Sequence, residues 1–80
     1  MISLYTKMAG NYKLAGDLES AVKYSEKVYK LIKKLVGKVS SRSLVALKNV
    51  GILLFEWKKF EESQKVFEKC VKRIELLHPE

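Results

Sequence analysis

The stretch LVALKNVGILL, Leu44 to Leu54, decides the fold. Its apolar residues Leu44, Leu47, Val50 and Leu54 recur at intervals of three and four, which lays them on one face of an α-helix. Gly51 lies on the same stripe, a small residue where a second helix can approach closely. A related pattern stands 42 residues upstream, where Tyr5, Met8, Ala9 and Tyr12 take the places of Leu47, Val50, Gly51 and Leu54.

The same shift aligns the remainder of each unit. Glu19 falls on Glu61, Lys23 on Lys65, Glu26 on Glu68, Lys27 on Lys69, Lys30 on Lys72, Ile32 on Ile74 and Leu35 on Leu77. These seven identities over 38 aligned pairs exceed the roughly three or four that so Lys- and Leu-rich a chain gives by chance. The matched sizes are stronger support, with Ala21 on Ser63 and Leu18 on Phe60. A fixed period of this length is the mark of a repeat architecture.

Each unit reads as two helices. Gly16-Asp17 breaks the first, since Gly takes the left-handed turn after a helix and Asp caps the next one. The second helix carries Leu18, Ala21, Val22, Ser25, Val28, Ile32 and Leu35 on one face. Gly37 stops it, and Ser40 or Ser41 caps the third. Trp57-Lys58-Lys59 is the second turn. The last helix presents Phe60, Ser63, Phe67, Cys70, Ile74 and Leu77, and Pro79 ends it. The pattern predicts an all-α fold of four helices near 3–15, 18–36, 42–57 and 60–77. Residues 1–80 form one domain of two tandem hairpins, about 1–38 and 43–80.

The alternation of small and large positions resembles the tetratricopeptide repeat. The resemblance spans essentially the whole chain. It rests on Tyr5, Met8-Ala9, Tyr12, Gly16 and Ala21, then on Leu47, Val50-Gly51, Leu54, Phe60, Ser63, Phe67 and Cys70. The 42-residue period, Asn49-Val50-Gly51 and His78-Pro79 are similar to the long-helix subclass found in kinesin light chains. The sequence departs from the family pattern at Lys58, which replaces a turn glycine. It departs again at Ser25, which holds an aromatic place with Tyr24 one residue off, and at Lys7, which precedes Met8-Ala9 in place of Asn.

The resemblance implies a right-handed α-solenoid segment that binds a peptide or partner protein on the concave face made by the first helix of each repeat. On that face it places Thr6, Lys7 and Lys13 from the first unit, and Lys48, Asn49, Ile52 and Phe55 from the second. The carboxylate-clamp version of the family uses a Lys and an Asn where Thr6 and Gly10 stand here, so that version is not implied. Asn49 either offers its amide to an extended main chain or makes a bond between helices. Trp57 is either a plug beneath a turn or an exposed anchor.

The formal net charge is +7, and such an excess can attract polyanions. However, Lys23, Lys27, Lys30 and Lys34 repeat as Lys65, Lys69 and Lys72 opposite the apolar stripe. Glu19, Glu26, Glu61 and Glu68 each precede a lysine by four residues, the mark of a solvated helix face. No aromatic residues interleave with these lysines as in single-strand binders. A basic module for nucleic acid or an anionic surface is therefore the second reading. With one His, no catalytic triad, paired carboxylates, phosphate loop or metal-ligand spacing, no enzyme, cofactor or metal is expected. Cys70 is a lone cysteine in a small-residue slot, expected in the core. No apolar run approaches the roughly 20 residues of a membrane span. Met1-Ile2-Ser3-Leu4 shows no secretory pattern, which predicts a soluble cytoplasmic protein. A two-unit stack leaves apolar residues bare at both ends: Met1, Ile2, Leu4 and Tyr5 at the first helix, Leu76 and Leu77 at the last. Self-association, or a place in a larger array, is expected from that surface.

Overall fold

A computed structural model of the chain describes residues 2–77. The expectations placed on Met1 and on His78-Pro79 lie outside the described residues. Four helices follow one another: α1 (Ile2–Leu14), α2 (Leu18–Val36), α3 (Ser41–Glu56) and α4 (Phe60–Leu77). No strand occurs among the described residues. Substantial packing joins only successive helices, α1 to α2, α2 to α3 and α3 to α4. The Cα trace measures 42 × 29 × 14 Å, the slab of a stack and not the ball of a closed bundle.

The caps form from local chemistry. Asp17 accepts a hydrogen bond from the Ser20 N–H at 3.2 Å and starts α2. Ser40 accepts one from the Ser43 N–H at 3.2 Å and starts α3. The two hairpin turns share one backbone motif. Asp17 N–H donates to the Tyr12 carbonyl and Gly16 N–H to that of Lys13; Lys59 N–H donates to Leu54 and Lys58 N–H to Phe55. These are the paired bonds of a Schellman turn, whose penultimate residue must be left-handed. Gly16 takes φ +84° without strain, and Lys58 takes φ +64° in the matching place.

Within the second hairpin α3 and α4 are in intimate contact. The Ser63 hydroxyl donates to the Gly51 carbonyl at 2.9 Å, fully buried. A Cβ at Gly51 would meet Phe67 Cε1 and Cζ and Val66 Cγ1, each at 3.1 Å. The small pair Gly51 and Ser63 is therefore what lets the helices close. The central cluster is Ala21, Val22, Val50, Leu53 and Leu54, with Tyr12, Leu18, Tyr29, Trp57 and Val66 packed around it. Trp57 is thus a plug beneath the second turn, with Lys59 Nζ 4.9 Å above its ring.

Two expectations need correction. The α2 stripe does not stay covered to its end, since Leu35 is 70% exposed. Its last turn lies beside Ile2 and Ser3, where the 13-residue α1 begins. Nor does the α4 stripe stay covered, because Phe60 and Ile74 are about half exposed and no helix lies over them among the described residues. The Glu-before-Lys residues are exposed and form no ion pair among the described residues. Among the described residues the ion pair is Lys13–Glu56 at 3.6 Å, joining α1 to α3. Solvated lysines gain too little from an exposed carboxylate to give up their freedom.

Two substitutions measure these features by chemical denaturation. Gly51→Ala should change stability by less than about 1 kcal/mol, because a gain in helix propensity offsets the squeeze on movable side chains. Gly51→Leu should cost about 3 kcal/mol or more; equal denaturation midpoints for the two would contradict the close approach. Lys58→Gly should raise stability by about 0.5–1 kcal/mol, the left-handed cost less the glycine entropy. A lowered midpoint would show that Lys58 is not strained.

Candidate functional site

Between α1 and α3, floored by α2, runs a groove of about 230 Å³. Thr6, Gly10 and Lys13 stand on its α1 wall, and Asn49, Ile52 and Leu53 on its α3 wall. Ser25 and Val28 come up from the floor. A second depression continues it past Thr6, Val28, Ala46 and Asn49 toward Ile2, Arg42 and Val45. The walls are the first helices of the two hairpins, and the floor is the second helix of the first. The consecutive packing order makes that trough: α2 sits between α1 and α3 and holds them apart.

Of the seven residues assigned to the concave face, four line this groove: Thr6, Lys13, Asn49 and Ile52. Thr6 Oγ1 is engaged locally, donating to the Ile2 carbonyl at 2.8 Å. Lys13 reaches across to Glu56 at 3.6 Å, and both side chains stay more than 40% exposed. Asn49 is exposed, and among the described residues its amide makes no hydrogen bond to another helix. The other three lie elsewhere. Lys7 is exposed and is not a lining residue of the groove. Lys48 lies on the α4 side of α3, close enough to Cys70 for its charge to act on the thiol. Phe55 stacks edge-on with Phe60 at 5.2 Å, in a separate depression along α4.

Several contacts escape a reading of one helix at a time. Tyr24, one residue off the family register, stacks on Tyr12 at 5.5 Å and packs against Tyr5 at 5.8 Å. Ser25 in the expected aromatic place is buried instead. Lys27 Nζ lies 5.0 Å over the Tyr24 ring and 5.6 Å over Tyr5. A lysine therefore covers these rings. Helix α1 supplies Tyr5, and these rings are packed against each other instead of lying open. Arg73 donates to the Tyr29 hydroxyl, tying α4 to α2. Ser43 is wholly buried and donates to the Gly37 carbonyl, closing the link between hairpins. Ser43 stands four residues before Leu47 and seven before Val50, on the same buried face of α3, so the small-residue signal that marks Gly51 and Ser63 could have found it.

Burial pushes the Cys70 thiol above its ordinary range, against the pull of Arg73 and Lys48. No cluster of three or more potential metal ligands occurs among the described residues. No helix among them is long and apolar enough to cross a membrane.

This is a helical-repeat protein, two hairpins stacked through the contact of α2 with α3. The Tetratricopeptide repeat family model matches residues 1–75, and the chain belongs to that family. No curated protein and no solved structure matches it. Members of the family mediate protein–protein interaction.

Cys70 offers a test of the α4 packing. In the native chain it should react with a neutral alkylating reagent at least about tenfold slower than in the urea-unfolded chain at pH 7.5, because the thiol is both covered and less ionised. Equal rates would mean that the α4 packing opens freely.

Proposed function

We propose that this chain is a non-catalytic binding module that seats an extended peptide of a partner protein in the α1–α3 groove. The observation that carries this reading is the position of Asn49. Its side chain is exposed at the centre of the trough, common to both depressions, and it is bonded to no other helix among the described residues. An amide with two donors and an acceptor can pair with the N–H and C=O of one extended residue. Around it Val28 gives an apolar floor, Ala46, Ile52 and Leu53 an apolar wall, and Lys13 a cation at one end. A few polar groups converging on an apolar concavity is the usual make-up of a recognition site. Lys7, Lys48 and Phe55 lie outside the groove and take no part in this reading.

The long-period subclass is part of the proposal. Helices of 19 and 18 residues at α2 and α4, repeated at 42 residues, support it.

Peptides selected from a random displayed library on the immobilised chain give the test. Binding should fall about tenfold for Asn49→Ala, the worth of one or two polar contacts, and further for Ile52→Glu. Lys30→Ala, on the opposite face of α2, should leave binding unchanged. Selected peptides indifferent to both groove substitutions would overturn the assignment.

A further inference from the structure

A second concavity, about 650 Å³, lies along α4 at the far end of the stack. Phe55, Phe60, Phe67 and Val71 line it, with Glu68, Lys72 and Glu75 at its rim. Moved 42 residues back, its α4 residues Phe60, Phe67 and Val71 fall on Leu18, Ser25 and Tyr29 of α2, the helix on which α3 lies. Ile74, an exposed α4 residue beside the concavity, corresponds in the same way to Ile32. On α2 that surface is covered: Ile32 is 8% exposed, and Tyr29 packs against the core cluster beside Val50 and Leu53. On α4 it is bare, with Ile74 at 46% and Val71 at 55%. Among the described residues the same seat is therefore built twice and filled once.

The occupant of the filled seat shows what the empty one takes. Helix α3 presents Ala46, Val50 and Leu53 toward α2. The residues of α1 at the same register are Leu4, Met8 and Asn11. Leu4 is 57% exposed, without cover among the described residues. Helix α1 carries Lys7 and Lys13 and no acidic residue, and the rim of the seat carries Glu68 and Glu75 against Lys72. We propose that α4 receives α1 of a second copy of this chain, packed as α3 packs on α2, so that copies join head to tail. Asn11 in the place of Leu53 makes this contact weaker than the intrachain one, and the proposal is independent of the peptide groove.

A head-to-tail contact uses two different surfaces and leaves one of each free on every oligomer, so association does not stop at a dimer. Sedimentation velocity over a series from micromolar to millimolar tests it, with two variants at exposed positions, Leu4→Glu on α1 and Val71→Glu on α4. The parent chain should show an average mass that climbs past the dimer. Each variant alone should stay monomeric at the same concentrations, with its helical circular dichroism retained; Ile74→Glu serves as a second seat variant. The decisive sample is an equimolar mixture of Leu4→Glu and Val71→Glu. Each supplies the surface the other lacks, so it should form a one-to-one dimer and nothing larger. A parent chain that is monomeric throughout would overturn the proposal. So would a mass that levels at the dimer while Leu4→Glu still dimerises, which would mean α4 pairs with α4, or a mixture that stays monomeric.

Discussion

Burial in this chain is concentrated on one helix, and the rest of the architecture hangs on it. Eight of the sixteen residues of α3 are buried, against one on α1, four on α2 and two on α4. Helix α3 can be covered on two sides because it offers small residues where its neighbours come close. Gly51 meets Phe67 and Val66 on one side, and Ala46 and Val50 are buried with it. Larger side chains at those points would push α2 or α4 away, and the neighbours touch little else. The trough depends on the same arrangement, since α1 and α3 are walls only because α2 separates them.

The small positions also explain why the two hairpins differ. In the second, the Gly51 carbonyl accepts a side-chain bond from Ser63. In the first, Ala9 and Ala21 stand at the same register and can make no such bond. There the contact is completed by aromatic packing, Tyr24 against Tyr5 and Tyr12. One hairpin is held by close backbone approach with a buried polar tie, the other by stacked rings under a lysine. These are two solutions to one geometric demand.

The four helices are legible because their ends are written in short-range chemistry. Gly16-Asp17, Gly37 and Ser40 act on backbone groups within five residues, and a linear reading captures that. The second turn falls at Trp57-Lys58-Lys59 as expected, although nothing local announces that Lys58 is left-handed; the demand comes from the hairpin, which overrides one residue's preference. The candidate site is only partly legible. All seven residues lie on a first helix, yet that membership does not say toward which neighbour each points. Thr6, Lys13, Asn49 and Ile52 point into the trough, while Phe55 and Lys48 point toward α4 and Lys7 is not on the wall. The Arg73–Tyr29 and Ser43–Gly37 bonds depend on how hairpins dock, which no single stripe encodes.

Packing that joins only successive helices has a consequence for how the chain moves and assembles. Every loop closed on folding is short, so little chain entropy is spent before contacts form. Each end helix packs closely on one side alone, with one side-chain tie beyond it, Lys13–Glu56 for α1 and Arg73–Tyr29 for α4. Helix α1 can peel from α2, or α4 from α3, without breaking the α2–α3 contact, so opening is graded along the stack instead of all-or-none. The middle pair would then be the slowest to exchange its amide protons with solvent, and protection would decline toward both termini.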